Sequence, residues 1–266
     1  MEVGTAGGHK GAAVIYGQLK VYNIDMKTTI MKIMTAAVCL AGMTSCHDHE
    51  PLREYADIST AVGSILCADG STVPYSSYNS DMNGMGVIVK AGGPDDDFRF
   101  IAIGKEDIGW FPYVSGENTD LYVDSGASVS RTAYDGKENT AAMMENEYYK
   151  SETKAVDGVT ATVIQVRTYP AAAAAVAYKP MGVQGWHLPS SGEWLAVFTH
   201  LETVRRSLVL IEGQWIDPDL WYQSSTQDGA SGETSRLYNL AVSASGTSKG
   251  TLKTDSAPVR PFITIK

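Results

Sequence analysis

A chain of 266 residues, 44% hydrophobic and 19% charged, has the composition of a protein that buries a real core, which excludes a disordered chain. Its formal net charge of -9 becomes -11 without residues 1–45, which carry four Lys against Glu2 and Asp25. An acidic surface with no basic stripe to offset it repels phosphate backbones, so no nucleic-acid partner is expected.

The first 58 residues read as an export leader and tether. Met26-Lys27 and Met31-Lys32 give a basic start, and residues 33–43 form an apolar run of signal-peptide length, too short to span a bilayer. Thr44-Ser45-Cys46 closes that run as a bacterial lipobox does, with Met43 where Leu is usual, so Cys46 is expected to carry lipid and become the mature N-terminus. Residues 26–45 are then a lipoprotein signal peptide, and residues 1–25 a non-translated or unstructured extension. Residues 46–58, opening on His47-Asp48-His49-Glu50-Pro51, are polar and aperiodic and read as a tether. Their acidic character resembles the surface-export signals of lipoproteins from gut bacteroidetes, which implies a lipid-anchored protein of the outer membrane at the cell surface. Cys39 and Cys46 belong to this leader. That leaves Cys67 alone in the body, without a partner for an intramolecular disulfide.

Residues 59–266 are expected to form one domain. Short strands come first, at 62–67 before Ala68-Asp69-Gly70, at 86–90 before Gly92-Gly93-Pro94, and at 98–103. Asp95-Asp96-Asp97 lacks the alternation of a calcium loop and reads as a solvated turn. Trp110, Phe111 and Tyr113 form an aromatic patch of the kind that packs in a core. Asn139 is expected to cap a helix over 140–149, with Ala141, Met144 and Tyr148 on its stripe. Residues 150–168, Thr- and Val-rich around Asp157-Gly158, predict a hairpin. Pro170 opens an alanine helix that ends before Pro180.

The segment from Gly185 to Trp194 is the most legible. Pro189 holds Leu188 extended, Ser190 fits an N-cap, and Glu193 three residues on completes a capping box. The helix that follows should bury Trp194, Val197, Phe198, Leu201 and Val204 and turn Glu202, Arg205 and Arg206 outward. Past Asp217-Pro218, three strands are expected at 220–226, 236–242 and 258–265. His187 and His200 have no paired Asp or Cys at an informative spacing and read as structural histidines. Cys67 has no evident general base, and no Gly-x-Ser-x-Gly elbow surrounds Ser224 or Ser225. The sequence offers no catalytic constellation, cofactor motif or metal-ligand set, and the expectation is a protein that is not an enzyme.

Gly185-Trp186-His187-Leu188-Pro189-Ser190 through Trp194, Ser224-Ser225-Thr226, Leu237-Tyr238-Asn239-Leu240 and Val259-Arg260-Pro261-Phe262 together resemble the Fibrobacter succinogenes major paralogous domain family. That family belongs to the C-type-lectin-like superfamily. The resemblance covers most of 60–266 and is weakest over 150–170. It implies an α+β, C-type-lectin-like fold of twisted antiparallel strands with flanking helices, in a surface protein. Two departures stand out: Gln223 precedes the Ser-Ser-Thr triplet where Trp is common, and the Glu-Pro-Asn and Trp-Asn-Asp calcium signatures of lectins are missing. The function expected from this is non-catalytic ligand binding or adhesion to an extracellular glycan or protein. The alternatives are a structural envelope or fimbria-associated component and an exported hydrolase. Loops near the C-terminus should carry recognition, with Tyr222, Gln223, Asp228, Glu233, Arg236, Tyr238 and Asn239 as candidates. The segment also resembles those that retroelements diversify in lectin-like binding proteins.

Overall fold

Strands start where apolar runs meet turn residues. In the computed structural model, which describes residues 60–156, 159–229 and 238–266, β1 (Ile65–Cys67) folds back through Asp69 and Gly70 onto β2 (Thr72–Val73). The Asp69 carboxylate accepts from Ser71 N at 2.9 Å, and Gly70 takes a φ of +84° that disfavours a side chain. β3 (Gly84–Ala91) and β4 (Phe100–Gly104) follow. Together with β9 (Trp186–His187) and β14 (Phe262–Ile265) they make a six-stranded antiparallel sheet in the order β2-β1-β3-β4-β14-β9. The described residues belong to one compact unit, and Cys46, the leader and the tether lie outside them.

Side chains alternate across a strand, and here both faces are apolar. Ile65, Val87, Ile101, Ile103 and Phe262 meet Trp194, Val197, Val204 and Leu208 on one side. Leu66, Met85, Ile88, Phe100, Ala102 and Ile263 gather with Trp186 on the other. A third cluster packs Tyr113, Val114, Met143, Tyr169 and Leu188 around Ala171, Ala172 and Ala175. Those alanines lie on α2 (Pro170–Ala177), where Pro opens the helix as expected.

Three smaller antiparallel sheets complete the β structure. β5 (Gly109–Pro112) pairs with β13 (Ser256–Val259), and β6 (Ser115–Glu117), β8 (Val159–Thr168) and β7 (Tyr148–Val156) form the second. β10 (Trp221–Gln227), β11 (Tyr238–Ser243) and β12 (Ser248–Leu252) form the third. The expected 150–168 hairpin is present, its Asp157-Gly158 turn lying outside the described residues. The expected strand at 258–265 is two strands in two sheets. It breaks at Arg260-Pro261, where the guanidinium is drawn inside to ion-pair with Asp107 and to donate to Gln214 O at 3.0 Å.

Helices complete an α+β architecture, four of them α-helical among the described residues. α1 (Gly136–Glu145) starts earlier than the sequence suggests, and Asn139 is not its cap. The Asn139 amide is spent on tertiary bonds: it accepts from Ser128 N at 2.7 Å and donates to Asp135 Oδ1 at 2.9 Å. The inward stripe is Asn139, Thr140 and Met143, whereas Ala141 is exposed and Tyr148 belongs to β7. α3 (Ser191–Thr199) begins with the expected capping box, Ser190 Oγ accepting from Glu193 N at 3.2 Å and Glu193 Oε2 from Ser190 N at 2.8 Å. The helix breaks at His200, whose φ of -122° is non-helical, and α4 (Leu201–Leu210) follows directly. Arg205, expected to face solvent, is buried because it donates to Ile216 O at 2.8 Å and lies 4.3 Å from the Trp215 ring, tying down the loop after α4. Trp110 is likewise a correction: in β5 it is 60% exposed, while Tyr113 takes the core position.

Trp194 is the centre of the main core. It is fully buried, it donates from Nε1 to Gln223 O at 3.1 Å, and its ring lies 4.6 to 5.5 Å from Tyr222, Phe262 and Phe198. Trp194→Ala is expected to lower stability by about 3–5 kcal/mol, and Ser190→Ala by about 1 kcal/mol, in chemical denaturation. An unchanged midpoint for Trp194→Ala would contradict this placement of the core.

Candidate functional site

β10 carries the polar run Gln223-Ser224-Ser225-Thr226-Gln227, and a polar strand ordinarily has a wet face. This one has none. All five residues are buried, and every side chain has an internal partner. Gln223 Nε2 donates to Phe111 O at 3.2 Å, and Ser224 Oγ donates to Leu240 O at 2.6 Å. Ser225 Oγ accepts from Asn139 Nδ2 at 3.2 Å, and Thr226 Oγ1 accepts from Ser191 N at 2.9 Å. Gln227 Nε2 donates to Asp124 Oδ1 and to Ala127 O, both at 2.8 Å. Burial of these groups is tolerated because each is bonded, and each bond joins β10 to a different part of the chain.

This revises the expected recognition surface. Tyr222, Gln223 and Asn239 are fully buried and cannot meet a macromolecular ligand. Tyr222 packs on Trp194 with its hydroxyl accepting from Asp217 N at 2.9 Å, and Asn239 Nδ2 donates to Gln223 Oε1 at 2.7 Å. Gln223 is thus a polar link inside the fold, while Trp221 sits half-buried beneath Lys249, 4.2 Å from its Nζ. Glu233 and Arg236 lie outside the described residues, and Tyr238 is described only as a backbone partner of Leu252.

Asp228 remains near the surface, where it meets a residue the sequence analysis missed. Arg131 Nη2 is 3.2 Å from Asp228 Oδ1, and Nη1 donates to Ser248 Oγ at 3.2 Å. The arginine is half exposed. Arg131, Asp228, Ser248, Lys249 and Trp221 therefore put donors, an acceptor and an aromatic ring around the third sheet. No local motif marks Arg131, because its role depends on a contact 97 residues away.

The other candidates resolve as structural or open. His187 is buried with Nε2 at 3.2 Å from Glu193 Oε1, in keeping with a structural histidine, and His200 is exposed at the break between α3 and α4. Burial pushes the Cys67 thiol above its usual range, away from the nucleophilic thiolate. Asp95, Asp96 and Asp97 border a groove of about 460 Å³ shared with Tyr134, Asp135, Glu138 and Lys266. They behave as a turn, Asp96 accepting from Gly93 N at 2.7 Å and Asp97 pairing with Lys266 at 2.8 Å. A second groove of about 370 Å³ lies between Ser64, Tyr75 and Arg206.

No protein-family model matches the chain, and neither a curated protein nor a solved structure does.

Lys253 is the one buried lysine among the described residues. Its Nζ donates to Gln227 Oε1 at 2.9 Å and to Val123 O at 3.3 Å, and burial pulls its pKa down to about 8, against partial compensation from Asp124. Between about pH 8 and 10 the unfolded chain holds this proton and the folded chain does not, so the lysine makes stability rise with pH there. Above pH 10 the buried tyrosines act in the opposite sense, Tyr222 being pushed up to about 12 chiefly by burial. Denaturation from pH 8 to 10 should show the parent gaining on Lys253→Met by on the order of 1 kcal/mol per pH unit. Parallel curves would contradict it.

Proposed function

We propose that this chain is a lipid-anchored surface protein of C-type-lectin-like fold that binds an extracellular glycan or protein without catalysis. The contact surface is formed by Arg131 with Asp228 and Ser248, and by Lys249 over Trp221, at the margin of the β10-β11-β12 sheet. Support for the fold comes from the mutual packing of segments that carry the family resemblance: Ser225 N donates to Pro189 O at 2.7 Å, Ser191 N to Thr226 Oγ1, and Trp194 Nε1 to Gln223 O. The observation that carries the functional reading is the division of polar groups along β10. Its buried side chains are consumed by internal bonds, whereas the charged and aromatic groups at its two ends reach the surface. Such a rigid sheet with adaptable polar contacts at its margin suits recognition. Anchoring follows from Cys46, with stable attachment needing more than one acyl chain.

Two measurements test the reading. Cys46→Ala should move the protein from the membrane to the soluble fraction on detergent partitioning, and unchanged partitioning would remove the anchor. On glycan and host-protein arrays, the triple variant Arg131→Ala, Lys249→Ala, Trp221→Ala should bind at least about ten-fold more weakly than the parent. Its melting temperature should hold within about 5 °C, because partly exposed pairs contribute little. Full retention of binding would place the site elsewhere.

A further inference from the structure

The outer strand of the β6-β8-β7 sheet stands apart from the other sheet edges. An open edge offers unpaired N–H and C=O groups to any other strand, and folded proteins keep such edges short or covered. Among the described residues most edges obey this: β2 and β9 have two residues each, β6 three and β12 five, while the seven-residue edge β10 is almost wholly buried. β7 runs for nine residues and is mostly exposed, Tyr149 reaching 71%. Support from β6 stops at Val166, which leaves the rest of β7 and β8 as a two-stranded arm of a kind that is marginally stable alone in water.

The direction of the free groups can be read from one bond. Asn118 Nδ2 donates to Ile164 O at 3.0 Å, so the carbonyl of Ile164 points away from β7. Ile164 pairs with Ser151. Because bonding alternates along an antiparallel ladder, Tyr149, Ser151, Thr153 and Ala155 turn their main-chain groups to the open edge, and Lys150, Glu152 and Lys154 spend theirs on β8. The two faces also differ. Tyr149, Ser151 and Thr153 share an uncharged face with Val166, Ile164 and Thr162, while Lys150, Glu152 and Lys154 form a charged row on the other, with both lysines paired to Glu152.

We propose that two copies of this chain join by antiparallel pairing of β7 with β7 of the second copy, about a twofold axis at Ser151. In that register Ser151 meets Ser151 and Tyr149 meets Thr153, all with outward main-chain groups. Lys150 then lies opposite Glu152 of the second copy, twice by symmetry, at the non-hydrogen-bonded positions where side chains approach most closely. Tyr148 lies opposite Lys154. An axis at Glu152 is disfavoured because it sets Glu against Glu and Lys150 against Lys154. An axis at Thr153 sets Glu152 opposite Lys154 but leaves Lys150 with no carboxylate opposite and takes Tyr148 and Tyr149 out of the ladder. Lysines on an edge ordinarily discourage pairing, but here a carboxylate at matched spacing makes the row complementary to its own reverse. The result is a self-complementary interface that closes after two copies and continues the uncharged face across both arms.

The test is the mass of the full chain by light scattering in detergent over a range of concentrations. The parent should rise from the mass of one copy toward twice that value. Ser151→Pro, which removes an outward N–H and leaves the bonds to β8 intact, should stay monomeric with an unchanged circular-dichroism melting curve. Lys150→Glu should weaken the dimer about ten-fold, and the swap Lys150→Glu with Glu152→Lys should restore it to within about three-fold. A parent that is monomeric at every concentration, as it would be if the arm served a different macromolecule, overturns the proposal. So does a dimer that persists in Ser151→Pro, or a loss in Lys150→Glu that the swap does not repair.

Discussion

The structure depends on how the N-terminus of α3 disposes of its free backbone donors. Ser190 and Glu193 satisfy two of them reciprocally, and the buried Glu193 carboxylate also holds the His187 ring. Around this box the chain is drawn in from several directions. Ser190 Oγ donates to Ala133 O and Ser191 Oγ to Arg131 O, Leu188 N donates to Thr140 Oγ1, and Ser225 N donates to Pro189 O. The approach is close enough to dictate glycine twice. A Cβ on Gly136 would fall 2.2 Å from Glu193 Oε2, and one on Gly192 would fall 2.3 Å from Ala133 O. A buried carboxylate is costly unless its lone pairs are met, and meeting them here fixes α1, α3, β9 and β10 relative to one another.

From that arrangement the aromatic core follows. Fixing the start of α3 aims Trp194 at Phe262 on the large sheet and at Tyr222 on the small one, so one side chain joins two sheets and a helix. The cost is that β10 has little polarity left for solvent. Residues whose composition suggested a contact surface were recruited inward, and the surface chemistry moved to Arg131 and Lys249. An arginine 97 residues from its carboxylate and a lysine over a tryptophan are tertiary facts that no local pattern encodes.

Local rules that need few residues were the ones legible in the sequence. The capping box, the proline-led alanine helix and the hairpin expected at 150–168 each rest on local signals, and each formed, the hairpin's first strand starting two residues earlier at Tyr148. Where tertiary bonds outbid local preference, the reading failed. Asn139 has the chemistry of a good cap, but Ser128, Asp135 and Ser225 claim its amide. Helical periodicity turns Arg205 to solvent, but the Ile216 carbonyl claims its guanidinium. The position of Tyr222, Gln223 and Asn239 near a C-terminal strand connection and the polar composition of that segment suggest contacts, but neither distinguishes a wet polar strand from one whose hydrogen bonds are all internal.

Native-state hydrogen exchange across the capping-box junction tests the account most directly. If Glu193 and its partners hold the fold together, the amides of Leu188, Ser190, Ser191 and Ser225 should exchange only by global unfolding, with free energies equal to the denaturation value. Exchange of these amides through a local opening, at a free energy well below the global one, would contradict it.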